Sequence, residues 1–66
     1  MEVEVNGDER QFRDGITIAD LLTEVGTTQR GVAVALDGEV VARGDWPEVV
    51  VIDGAQVEIL VAVQGG

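Results

Sequence analysis

Several kinds of residue on which enzymes depend are missing from this chain. It has no cysteine, so it can form no disulfide, no thiolate metal site and no cysteine nucleophile. It has no histidine, which removes the commonest general base and the commonest metal ligand. It also has no lysine, which excludes a Schiff base and a phosphate-binding P-loop lysine. Thirteen acidic residues remain, but no catalytic site can be placed among them, and they are typical of a solvated acidic surface.

Long apolar runs are also missing, because none approaches the roughly 18 residues of a membrane span. The first residues, Met1-Glu2-Val3-Glu4, are acidic and alternating, unlike a signal or transit peptide. We therefore expect a cytoplasmic protein. The apolar fraction of 45% is that of a globular chain, and 66 residues suffice for one small domain without disulfides or metals.

The net charge of −9 argues against nucleic acid or an anionic membrane as a partner. Such a charge steers a protein toward basic surfaces on other proteins. The alternative is that the charge serves solubility alone.

The first half of the sequence predicts a hairpin followed by a helix. Glu2-Val3-Glu4-Val5 alternates as a half-buried strand does, and Asn6-Gly7 is a strong hairpin signal before a return strand over residues 9–13. Thr17 is a suitable N-cap with Asp20 in the capping-box position, and Gly26 is placed to end the helix. A short helix of this kind needs a sheet to pack on, through an apolar stripe of Ile18, Leu21, Leu22 and Val25, with Ile16 and Leu21 as the hydrophobic staple.

The second half predicts mainly strands. Residues 32–36 form an apolar run, Asp37-Gly38 is a turn signal, and residues 39–41 are the short return arm. Trp46 is expected to cover an edge of the core rather than to stack on a ligand. Residues 49–52 are apolar and β-branched, and are either a strand or a buried crossing segment.

The last strand covers residues 57–63 and alternates between two faces. Val57, Ile59 and Val61 are assigned to the core, at least through Ile59. The residues on the opposite face are Glu58, Leu60 and Ala62. Exposed apolar residues such as Leu60 and Ala62 beside a functional end suggest a docking surface for a partner, and Glu58 is assigned to the same surface. The alternative is that Leu60 is half-buried at the margin of the sheet.

The predicted order of elements is ββ-α-ββ-β, which favours an α+β fold. We expect a mixed sheet of four to five strands with one helix packed across one face, and the last strand central beside the first. Residues 1–62 are assigned to this domain and residues 63–66 to a flexible Gly-Gly tail. The tail ends in Gln64-Gly65-Gly66, and glycine without a Cβ leaves a narrow, unhindered carboxylate that can enter another protein's active site. The alternative is an ordinary frayed terminus.

Taken together, these segments resemble the thiamin-biosynthesis sulfur carrier family (ThiS-type), whose members have the ubiquitin-like β-grasp fold. The segments follow one another in the family's order: Val5-Asn6-Gly7, Thr17-Ile18-Ala19-Asp20-Leu21-Leu22, Val32-Ala33-Val34-Ala35-Leu36-Asp37-Gly38-Glu39-Val40-Val41, Trp46, Asp53-Gly54, Val57-Glu58-Ile59 and Gln64-Gly65-Gly66.

The resemblance implies that the chain is the substrate of other enzymes and binds no cofactor itself. A ubiquitin-activating-type adenylyltransferase would use ATP to adenylate the carboxylate of Gly66. A sulfur donor, such as a cysteine desulfurase or another persulfide, would convert it to a thiocarboxylate, and a thiazole synthase would take the sulfur. Val63, Gln64 and Gly65 would present that end to the partners.

Three alternatives share some of these features. Sulfur carriers of the molybdopterin, cysteine and tRNA-thiolation pathways have the same Gly-Gly end and the same fold. A ubiquitin-like modifier would be joined through Gly66 to lysines of other proteins. A plain interaction module would keep its function after Gly65 and Gly66 are removed.

Overall fold

The computed structural model describes residues 1–61. They form five strands, one α-helix (α1, Ile18–Glu24) and one short 3-10 helix (Arg43–Asp45). The strands are β1 (Glu2–Val5), β2 (Asp8–Gln11), β3 (Val32–Leu36), β4 (Glu39–Val41) and β5 (Gln56–Val61). The predicted domain boundary after residue 62 and the predicted tail, residues 63–66, lie outside the described residues.

The strands form one mixed sheet in the order β2-β1-β5-β3-β4. β5 runs parallel to β1 and antiparallel to β3, and both hairpins are antiparallel. Strand β5 is therefore central and beside β1, as predicted. The α+β class and the mixed sheet are confirmed, with five strands within residues 1–61.

Two-residue turns set the register of both hairpins. Asn6 and Gly7 have φ of 50° and 87°, and Asp37 and Gly38 have 49° and 85°. Positive φ at both central positions is what a type I′ turn requires, and Asn-Gly and Asp-Gly tolerate it best. Both predicted hairpins are confirmed.

Helix α1 begins and ends where its sequence signals indicate. Thr17 is the N-cap, and its hydroxyl accepts a hydrogen bond from the Asp20 amide at 3.2 Å. Gly26 follows the helix with φ of 80°, as a C′ glycine does. Ile16 and Leu21, the two staple residues, are both fully buried.

The core lies between α1 and one face of the sheet. It combines the inward residues of β1, β3 and β5 with the apolar stripe of α1: Val3, Val5, Val32, Val34, Val57, Ile59, Ile18, Leu21 and Leu22. Val25, the last residue of the predicted stripe, is only partly buried. Trp46 is only 2% exposed, and its indole N–H donates to the Val41 carbonyl at 3.0 Å. It therefore closes an edge of the core, as predicted.

Residues 49–52 are a crossing segment and not a strand of the sheet. A single bridge pairs Val50 with Thr17, and the Val51 amide donates to the Ile16 carbonyl at 2.9 Å. Val51 is buried, whereas Val50 and Ile52 are 51% and 68% exposed. The segment ties the start of α1 to the chain that leads into β5. Of the two interpretations that the sequence left open, the crossing segment is therefore the correct one.

Candidate functional site

Strand β5 leads in sequence into the Gly-Gly end, so the surroundings of its last residues define the candidate site. Because β5 is parallel to β1 and antiparallel to β3, the end of β1 and the start of β3 lie at the same end of the sheet. Of the predicted site residues, Glu58 and Leu60 lie in β5. The others lie outside the described residues: Ala62, Val63, Gln64, Gly65 and Gly66.

Leu60 lies on the face of the sheet opposite α1, which we call the open face. It is 61% exposed, so the alternative of a residue half-buried at the sheet margin is excluded. The inward alternation of β5 ends at Ile59, because Val61 is 67% exposed although it follows the inward series. Both faces of β5 are therefore apolar and accessible just before residue 62.

Leu60 is one of four apolar side chains that the sheet brings together on the open face. Its register partner on β3 is Ala33, and the next outward residue of β3, Ala35, is paired with Val40 of β4. Val40 is the most exposed large apolar residue of the described chain, at 81%. We call this group the open-face patch, defined by Ala33, Ala35, Val40 and Leu60.

The sequence predicted only Leu60 of this patch. Residues 32–36 form a continuous apolar run, which suggests a strand buried on both faces and hides the outward direction of Ala33 and Ala35. Side chains alternate between the two faces along a strand, and the Asp37-Gly38 turn fixes the register of β3. Together these signals place Ala33 and Ala35 on the face opposite the core.

The other outward residues of the sheet are glutamates, apart from Gln11 and Gln56. Glu58 lies beside the patch as the partner of Ala35, and Glu4 of β1 is directly opposite Glu9 of β2. Glu2 lies on the same face at the start of β1. A groove of about 360 Å³ lies along this acidic half and is lined by Glu2, Val3, Glu4, Glu9, Asp53, Gly54, Ala55 and Gln56. In the described strands, no arginine occupies an outward position on this face.

An apolar groove bordered by basic side chains would complement the patch and its acidic neighbours. An exposed apolar cluster with a polar border is typical of a protein contact surface. Within residues 1–61, no group of three or more acidic side chains is arranged to hold a metal ion, and no buried polar side chain is left without a hydrogen-bond partner. Within those same residues, none of the helices has the length and apolarity needed to cross a membrane.

Two turn residues also contact the backbone of β5. The amide group of Asn6 donates to the Ile59 carbonyl at 3.2 Å and accepts from the Ile59 N–H at 2.7 Å. At the other end of β5, the Asp37 carboxylate accepts from the Gln56 N–H at 2.8 Å. Sequence reasoning assigned both residues to turns and missed these contacts, because each joins positions far apart in the chain.

Comparison with known proteins gives a consistent result over the whole length. A family model, described as the ThiS family, matches residues 3–66. The chain is 38% identical over 66 residues to a thiazole synthase of Paramagnetospirillum magneticum, covering all of this chain but only 20% of that protein. It is 30% identical over 66 residues to the sulfur carrier protein ThiS of Escherichia coli, covering both proteins completely.

Solved structures agree with this. The crystal structure of a thiamine biosynthesis protein (ThiS) from Geobacter metallireducens superposes with a TM-score of 0.87 and 32% identity, covering 100% of both chains. The solution structure of a thiamine biosynthesis protein from the same organism gives 0.81 and 30%, covering 100% of this chain and 88% of that one. The predicted ubiquitin-like β-grasp fold is confirmed by this agreement.

Proposed function

Because the chain belongs to the ThiS family, we propose that it carries its sulfur as a thiocarboxylate on Gly66. It is a sulfur carrier of thiamine biosynthesis, a protein on which enzymes act rather than an enzyme. The observation that supports the proposal best is the open-face patch, which lies beside the end of β5, the strand that leads into Gln64-Gly65-Gly66.

The chemistry explains why the carrier needs an activating enzyme. A carboxylate is a poor electrophile, and transfer of AMP from ATP gives it a good leaving group while pyrophosphate is released. The terminal sulfur of a persulfide then attacks the Gly66 acyl carbon and AMP departs. A thiol then attacks the donor's sulfur in the resulting acyl disulfide. A new disulfide forms between the thiol and the donor, and the thiocarboxylate on Gly66 is the leaving group. This chain has no cysteine, so a partner supplies the persulfide and the thiol.

The proposed partners are an adenylyltransferase of the ubiquitin-activating type, a sulfur donor such as a cysteine desulfurase, and a thiazole synthase that consumes the sulfur. Similarity to a segment of a thiazole synthase supports the last of these. Leu60 and Glu58, together with Ala62, would dock on these enzymes, and residues 63–66 would enter their active sites as a tail. We place these steps in the cytoplasm, where the ATP-dependent partners would act.

The test of this proposal is the intact mass of the protein purified from its native cell. A population heavier by the difference between sulfur and oxygen, and alkylatable although the chain has no cysteine, is the expected result. Isopeptide adducts on lysines of other proteins, without a thiocarboxylate, would instead identify a protein modifier.

Removal of Gly66 provides a matched variant. We expect it to abolish ATP-dependent activation, because the reacting carboxylate moves to a residue that no longer reaches the same position. The fold should be unaffected, since every buried apolar residue of the described chain lies between Val3 and Ile59. Activation that persists in the shortened protein, measured as pyrophosphate release with an adenylating enzyme and ATP, would contradict the assignment of Gly66.

A further inference from the structure

Hydrogen bonding between the parallel strands β1 and β5 extends one step beyond the last hydrogen bond that the backbone of β1 can make. The Glu4 amide donates to the Ala55 carbonyl at 3.0 Å, and the Asn6 amide donates to the Val57 carbonyl at 2.9 Å. Parallel ladders advance by two residues on each strand, so the next acceptor is Ile59. The backbone cannot reach it, because the chain turns away at Asn6-Gly7 toward β2.

The side chain of Asn6 supplies this missing step. Its Nδ2 donates to the Ile59 carbonyl at 3.2 Å, and its Oδ1 accepts from the Ile59 amide at 2.7 Å. A carboxamide has the donor and the acceptor of a peptide group, so it can replace a strand residue at this place. Asparagine also tolerates the φ of 50° that the turn needs, so one residue serves both purposes.

Beyond Ile59, the described part of β5 is paired on one side only. Leu60 and Val61 are in register with Ala33 and Val32 of β3, whereas β1 has already ended. Among residues 1–61, Asn6 therefore makes the last hydrogen bonds to β5 on its β1 side.

We propose that Asn6 is a positioning residue, which holds the end of β5 in a fixed direction relative to β3 and β4, the strands that carry the rest of the open-face patch. This rests on the proposed function, since it supposes that the patch docks while Gly66 reacts. A partner that binds the patch fixes the position of the sheet in the complex. The direction of β5 then determines how often the Gly66 carboxylate comes close to ATP in the partner's active site. Small misplacements of reacting groups cost large factors in rate.

The test compares Asn6→Gly with Asp37→Gly. Glycine adopts positive φ without strain, so both turns should be kept. Each variant loses side-chain hydrogen bonding to the β5 backbone, but Asp37 contacts Gln56, at the start of β5 and four residues before Leu60. Thermal melts would establish that both variants are fully folded at the assay temperature.

The kinetic measurement is ATP-dependent activation of the carrier by the adenylating enzyme. For Asn6→Gly we expect kcat to fall about tenfold while KM stays within about twofold, since Asn6 lies outside the patch and all four patch side chains are kept. Asp37→Gly should keep both constants near the wild-type values. Asn6→Asp should lie between wild type and Asn6→Gly, because it keeps the acceptor for the Ile59 N–H and loses the donor. Equal kcat in wild type and Asn6→Gly, or equal losses in the two glycine variants, would overturn the proposal.

A second readout does not depend on activity. Backbone amide order parameters of Leu60 and Val61, measured by NMR, should fall in Asn6→Gly and stay unchanged in Asp37→Gly. Unchanged order parameters in Asn6→Gly would overturn the positioning role. A wild-type protein that no adenylating enzyme activates would instead overturn the proposed function, and the order parameters would still decide the role of Asn6.

Discussion

At the scale of single residues, Leu60 and Ile52 form a matched pair. They are exposed to similar extents, 61% and 68%, but lie at opposite ends of the sheet. Leu60 belongs to the open-face patch beside the end of β5, whereas Ile52 precedes a turn whose Gly54 amide donates to the Glu2 carbonyl at the start of β1. Substitutions at the two positions therefore separate the effect of losing any exposed apolar side chain from the effect of losing the proposed docking residue.

We expect Leu60→Asp to weaken docking on the adenylating enzyme by about tenfold, corresponding to about 1.4 kcal/mol, because an apolar contact is replaced by a charge. The weaker docking would be measured as a rise in the KM for that enzyme. Ile52→Asp should change the KM for the adenylating enzyme by less than about twofold, since substitutions outside a contact surface are nearly neutral. Both changes should alter the free energy of unfolding by no more than about 0.5 kcal/mol, as is usual for exposed positions. A large loss of thermal stability in Leu60→Asp would show that Leu60 belongs to the core.

At the scale of elements, the local signals in the sequence were sufficient for both hairpins and the helix. Asn6-Gly7 and Asp37-Gly38 determine their turns through backbone conformation alone, and Thr17 begins α1 through its own hydroxyl. Such features depend on neighbours in the chain, so a single sequence carries them. The central position of β5 was also predictable, from its length and alternation.

Features that depend on distant neighbours were not predictable in the same way. The run over residues 49–52 has the composition of a strand, but the sheet has no free place for it beside β1 or β5, both of which are paired on each side. Ala33 becomes a neighbour of Leu60, and Val40 a neighbour of Ala35, only through the register of three strands. The second role of Asn6 depends on Ile59, which no local pattern connects to it.

The β1–β2 hairpin contains a pairing that opposes folding. Glu4 and Glu9 are directly opposite each other on the open face, and like charges in this position are destabilising. We expect Glu9→Lys to raise the free energy of unfolding by about 0.2–1 kcal/mol, because the repulsion becomes an attraction. Urea denaturation would measure the change.

Glu39→Lys is the control for this prediction. It makes the same change of charge on the other edge strand, where Glu39 is paired with Leu36 and not with a carboxylate. An equal gain in both variants would mean that only the net charge of the molecule matters. The Glu9 variant should also dock less well on a basic partner, since it places a positive charge on the acidic half of the open face.

At the scale of the whole molecule, the net charge of −9 affects folding and docking in opposite directions. Self-repulsion among carboxylates weakens the folded state, while the same charge attracts a basic partner. Raising the salt concentration from about 0.01 M to about 0.1 M shortens the screening length from about 30 Å to about 10 Å. We expect the urea midpoint to rise over this range and the KM for the adenylating enzyme to rise as well. A KM that does not depend on salt would show that the acidic surface serves solubility alone.

The parallel pairing of Glu4 with Gln56 has a consequence for synthesis on the ribosome. Strand β1 remains without its pairing partner β5 until almost the whole described chain has left the exit tunnel. Pairing between such distant segments is slow and closes late in folding. Leu60 meets Ala33 only when β5 has entered the sheet, so an unfinished or misfolded chain has no assembled patch to offer. An adenylating enzyme of the proposed kind that docks on the patch would thereby discriminate against chains in which β5 has not entered the sheet, and it would not use ATP on them.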